Sequence, residues 1–142
     1  MKKVLPILIV LTILLVILVI IQKNRFKNSD GITIINLGNK ILLSYVDIQK
    51  NEQISFVTER GDNMTGYQLL EILENMQINT QEIEGYIFRS LDGGTLELSK
   101  DDEAQFYLIF QDVLDKQDVR LVIPTDQFSQ RWIKHIIEIE LI

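Results

Sequence analysis

The sequence predicts an α+β domain, strand-rich and mixed with one clear helix, preceded by one N-terminal transmembrane helix. Three observations carry that reading. From Val4 to Ile21 the chain runs eighteen residues without a charge, interrupted only by Pro6 and Thr12. Beyond it, short β-branched and aromatic runs alternate with turns rich in Asn, Asp and Gly. Only one stretch, around residues 65–76, repeats its leucines at helical spacing.

Eighteen helical residues at about 1.5 Å each span roughly 27 Å, close to the ~30 Å hydrocarbon core of a bilayer. Lys2 and Lys3 would also suit a secretory signal, whose apolar stretch is normally about 7–15 residues and ends at a small-residue cut site. Here the run ends Val-Ile-Ile-Gln-Lys, without such a site. Residues 1–27 are therefore expected to be an uncleaved anchor with its flanks. Residues Gln22 to Asp30 follow as a short polar tether; the alternative is that Lys23, Arg25 and Lys27 simply sit at the lipid headgroups. The flanking cations nearly balance across the span. The very short N-terminal flank favours a single-pass protein of the cell membrane whose domain, residues 31–142, is extracytoplasmic.

Within the domain, Ile32-Thr33-Ile34-Ile35 reads as a strand entering the turn Asn36-Leu37-Gly38-Asn39. Ile54 to Thr58 reads as a second, closed by Arg60-Gly61-Asp62-Asn63. Thr65 with Gln68 three residues on predicts a capping box opening a helix over Thr65–Met76, which buries Leu69, Leu70, Leu73 and Met76. Tyr86-Ile87-Phe88, the turn Asp92-Gly93-Gly94 and Thr95 to Leu98 predict a hairpin. Ser99 and the acids after it would cap a helical turn or two. Phe106 to Phe110 and Val119 to Ile123 read as buried strands, the second stopped by Pro124. Trp132 to Leu141 alternates and predicts one last strand, with Ile133, His135, Ile137, Ile139 and Leu141 on one face.

Charge and composition remove several functions. The chain has 14 basic and 20 acidic residues. Five of the cations lie in residues 1–27, which hold no acid, so residues 28–142 carry nine cations against twenty acids, a net of -11. Such a domain repels phosphate backbones and lacks a basic stripe, so nucleic acid is not an expected partner. With no cysteine and one histidine, His135, thiolate metal sites, Cys nucleophiles and multi-imidazole zinc centres are excluded. Asp101-Asp102-Glu103, with Asp92 and Glu97, offers hard oxygen ligands for calcium but not the alternation of an EF-hand loop, and reads better as a solvated capping turn. His135 has no serine and aspartate at recognisable triad spacing and is expected to be a structural residue on the last strand.

Three segments, TGYQLLEILENMQI, EGYIFRSLDGGTLELSKDD and VRLVIPTDQFSQRWIKHIIEIEL, follow one another in an order and spacing that resembles the molybdopterin-binding domain of sulfite-oxidase-like oxidoreductases. The resemblance covers roughly Leu43 to Leu141, and its specific part is Val119 to Leu141. It implies the oxidoreductase molybdopterin-binding fold and a pterin as cofactor. It also implies Arg120, Arg131 and Lys134 as cofactor-binding contacts to the pterin's phosphate end, where guanidinium forks and an ammonium suit a dianion. The alternative is that Arg120 and Lys134 flank strands and pair with acids such as Asp118 and Glu138. Enzymes of the family hold molybdenum through a cysteine thiolate before the leucine-rich helix. Here the corresponding stretch, Ile54 to Arg60, has none, and a hydroxyl does not replace a soft thiolate. Asp126, close to where the resemblance implies the phosphate, adds an unfavourable charge.

The expected function is a membrane-anchored, non-catalytic extracytoplasmic binding module, with no catalytic or metal-ligating residues, for a small anionic ligand or a partner protein. The alternatives are a structural accessory of a membrane complex or a subunit of a molybdenum oxidoreductase.

Overall fold

In the computed structural model, residues 10–18, 30–113 and 116–142 are described. Nine strands of these residues form two sheets. The first strand, β1 (Gly31–Asn36), and β2 (Asn39–Ser44) make an antiparallel hairpin whose central residues, Leu37 and Gly38, both have positive φ, 50° and 80°. This left-handed pair matches the natural strand twist. A short helix, α1 (Tyr45–Gln49), follows, N-capped by the Ser44 hydroxyl, which accepts from the Asp47 N–H. Neither β2 nor α1 is among the elements expected from the sequence.

Strands β3 (Ile54–Val57) and β4 (Asn63–Gln68) pair antiparallel, and β4 replaces the predicted helix start. Thr65 pairs with Ser55 across the ladder instead of capping, and helix α2 covers only Leu69–Asn75. The reason is long-range. Gly66 packs so tightly on β7 that a Cβ there would lie 2.9 Å from Ile109 Cγ1 and 3.0 Å from the Leu108 carbonyl oxygen. The first helical N–H, of Leu69, donates to the Phe106 carbonyl at 2.8 Å, and the Gln68 amide donates to Ala104 O at 2.9 Å. Distant backbone thus does what a capping box would do locally. The helix buries Leu69, Ile72 and Leu73, while Leu70 and Met76 are only partly covered.

Strands β5 (Gly85–Ser90) and β6 (Thr95–Ser99) form the expected hairpin, and Ser99 caps a 3-10 turn over Lys100–Gln105. Strands β7 (Tyr107–Val113) and β8 (Lys116–Val122) pair antiparallel. The last strand, β9, covers Ile136–Leu141 rather than beginning at Trp132. His135 has φ 56°, which ends any extended run before it. The pairing skips from Arg89↔Glu138 to Ser90↔Ile136, so β9 carries an extra residue at Ile137. That bulge reverses the face of its first residue, and Ile136, Ile139 and Leu141 are buried instead of one unbroken alternating set.

The five-stranded sheet runs β2-β1-β9-β5-β6, with β1 and β9 parallel, and the four-stranded sheet runs β3-β4-β7-β8. Between them lie Ile32, Ile34, Tyr86, Phe88 and Ile139 of the first sheet, Leu108, Val119 and Leu121 of the second, and the apolar face of α2. Phe106 meets Tyr86 and Phe88 edge-on, with centroids 5.3 and 5.6 Å away. The domain is thus strand-rich and α+β, as expected. Residues 10–18 are helical with exposed apolar side chains. Among the described residues no helix is long and apolar enough to cross a membrane; the expected span, Val4 to Ile21, extends beyond the described residues at both ends.

Candidate functional site

Strand β8 alternates, and the phase decides which of its side chains meet. Val119 and Leu121 face the core, leaving Asp118 and Arg120 on the opposite face. Across the ladder, Arg120 pairs with Ile109 and Asp118 with Gln111, which makes Gln111 the diagonal neighbour of Arg120. With its amide oxygen turned to the guanidinium, Gln111 accepts from Arg120 Nε at 2.6 Å and Nη1 at 3.1 Å. Met64 Sδ lies 3.8 Å from Nη2.

The segment after β8 returns alongside it. The Leu121 N–H donates to the Ile133 carbonyl at 2.9 Å, an isolated bridge that lays Trp132 beside the strand. Trp132 Nε1 donates to Ile123 O at 2.9 Å, and the Arg120 Cζ sits 5.4 Å from the centroid of its ring. Burial alone shifts the Arg120 guanidinium, pulling it below its ordinary range. No carboxylate of the described residues forms an ion pair with Arg120 or with the exposed Lys134.

Arg131 is held quite differently. Its Nη2 meets Asp126 Oδ1 at 2.6 Å, its Nε donates to the same oxygen at 3.0 Å, and its Nη1 pairs with Asp102. Asp126 is buried, with 6% of its side chain exposed. The hydrogen bond to Asp126 outweighs the burial that opposes it and, with Asp102, raises Arg131 above its usual value. The acid that sequence reasoning set against a phosphate is therefore spent on Arg131. Of the three predicted site residues, Arg120 and Lys134 have no carboxylate partner among the described residues, and Arg131 is already paired with Asp126 and Asp102.

The acids expected to pair with Arg120 and Lys134 have other partners. Asp118 faces His135, whose Nδ1 is 2.8 Å from Asp118 Oδ2, a buried oxygen with no further partner. Glu138 accepts from Arg89 at 2.6 Å. His135 is thus not on the last strand but in the left-handed turn before it, where its carbonyl also accepts from the Leu91 N–H at 2.8 Å. Sequence reasoning missed the Asp118–His135 pair and the stacking of Arg120 on Trp132, for which sequence spacing gives no signal. The acids of the 3-10 turn serve the fold: Glu103 accepts from the Tyr86 hydroxyl at 2.6 Å, and Asp101 takes the Ser99 hydroxyl. Among the described residues no three His, Asp or Glu side chains are grouped to hold a metal ion.

Two surface concavities lie elsewhere. One of about 490 Å³ is lined by Glu84, Gly85, Glu97 and Leu98, and one of about 390 Å³ by Leu42, Asp47, Ile72 and Met76. Arg120, Gln111, Met64 and Trp132 line neither of them. A scan against protein-family models and a search among curated proteins found no match for the chain.

Proposed function

We propose that the protein is a membrane-anchored, non-catalytic extracytoplasmic binding module, single-pass in the cell membrane, that captures a small anionic ligand at Arg120 and Lys134. The observation that carries this reading is the partly buried Arg120 guanidinium, which among the described residues meets only neutral partners, in a stretch (residues 28–142) of net charge -11. Removing a cation from water without a counter-charge is costly. An incoming phosphate or carboxylate would supply that charge, through hydrogen bonds that contribute about 1.5–3 kcal/mol when one partner is ionised. The resemblance to molybdopterin-binding domains makes a pterin phosphate the first ligand to try. Without a cysteine, the module binds such a ligand without molybdenum ligation.

The test uses the full chain purified in detergent from a host that makes the pterin cofactor. Mass spectrometry of the extracted small molecules should find a phosphorylated pterin in the wild type and not in Arg120→Gln/Lys134→Gln. A wild-type protein that carries no anion, and binds none on titration with a pterin phosphate or inorganic phosphate, defeats the proposal. A second reading, an accessory that docks an acidic partner protein at the same place, is favoured by the exposure of Lys134.

A further inference from the structure

Exposed aliphatic side chains scattered singly need no explanation. Two on this domain lie four residues apart, on consecutive elements. Leu42, 67% exposed, lies in the second half of the outer strand β2, and Val46, 63% exposed, stands four residues on in the first turn of α1. Both lie where the chain enters the domain. The Tyr45 N–H donates to the Asp30 carbonyl at 2.8 Å, and Gly31 pairs with Ser44. We propose that this β2–α1 corner rests on the bilayer that holds the anchor, with Leu42 and Val46 dipping into its interfacial layer.

The inference rests on the membrane-anchor reading, and the length of chain before Asp30 supplies its geometry. Eight residues, Gln22 to Ser29, separate the apolar run from Asp30. Fully extended they reach at most about 26–29 Å. So short a tether keeps the corner at a high effective concentration over the lipid, and weak contacts then suffice. Charge selects the same corner. Asp47, the acid beside Val46, is engaged by Lys50 at 2.6 Å and by the Ser44 hydroxyl at 2.6 Å, and Lys40 stands exposed on β2. The acidic remainder of the domain is repelled by anionic headgroups, which turns it away from the surface.

The natural absence of cysteine allows a clean test. Val46→Cys and, as a reference, Val57→Cys on β3, 60% exposed, each take an environment-sensitive fluorophore in the full chain reconstituted into phosphatidylcholine vesicles. Brominated acyl chains should quench the label at position 46 several-fold more than the one at 57, and Leu42→Glu should at least halve that difference. Equal quenching at 46 and 57 in protein that withstands an alkaline carbonate wash overturns the docked corner and leaves the anchor standing. Protein that washes off the vesicles overturns both.

Discussion

Arg89 and Arg120 carry the same side chain, each on a strand facing away from the core, yet their surroundings are opposite. Arg89 on β5 reaches across β9 to Glu138 and Glu140, with 2.6 Å to each. Those bonds, Glu140's first, hold its guanidinium above the ordinary range. Arg120 on β8 has an amide, a thioether and an indole face, and burial lowers it. Acids outnumber cations about two to one in this domain, so a cation near a carboxylate is the default. Arg89 follows that default, as does Arg131. The departure at Arg120 is what supports the proposed capture of an outside anion, because a charge already compensated has little to offer a ligand.

If that contrast holds, the largest effect belongs to Arg131. Arg131→Met leaves Asp126 buried without its counter-charge and should destabilise the domain by about 3 kcal/mol, the low end for a buried pair because the arginine is itself 34% exposed. Chemical denaturation of the purified chain measures it, and a loss below about 1 kcal/mol would mean that Asp126 is satisfied without Arg131. For Arg120 the expected loss is in binding. Arg120→Gln should weaken a pterin phosphate or inorganic phosphate roughly ten- to a hundredfold while keeping stability within about 1 kcal/mol of the wild type. A variant that unfolds but binds normally when folded would reverse the comparison.

Arg89→Met should cost only about 1 kcal/mol, since its partners face water, and the cost should shrink as salt is raised. An undiminished cost in molar salt would show that packing of the side chain, rather than its charge, is what matters there. The smallest effect comes from an acid. Asp92 accepts from the Ser90 hydroxyl and from the Gly94 N–H, which hold its carboxyl below the usual range. A depressed carboxyl stabilises the fold above the unfolded value, near pH 4, and that contribution fades as pH falls through the folded value. Asp92→Asn should therefore flatten the acid-unfolding profile below about pH 4 and leave the slope of stability with pH near pH 7 unchanged. Superimposable profiles would dismiss the effect.

Much of the fold was legible because its signals are local. Turns such as Asn36-Leu37-Gly38-Asn39 and Asp92-Gly93-Gly94, and the Ser99 cap, rest on neighbouring residues and form where expected. The acidity of residues 28–142 is likewise a property of composition. What the sequence by itself determined is therefore the class of the domain, its β5–β6 hairpin, its acidity and the absence of thiolate chemistry. Only the tertiary structure decided that Thr65 pairs with Ser55 rather than capping a helix, because the Phe106 carbonyl, far along the chain, supplies the acceptor the helix start needs. It also decided how the arginines divide. Asp126 lies five residues from Arg131 and pairs with it, whereas Asp118 lies two residues from Arg120 and turns to His135. Proximity in sequence is the same kind of clue in both cases. The backbone turn that carries Trp132 and His135 back along β8 determines which carboxylate is near enough to act, and that return is made by a single bridge between Leu121 and Ile133.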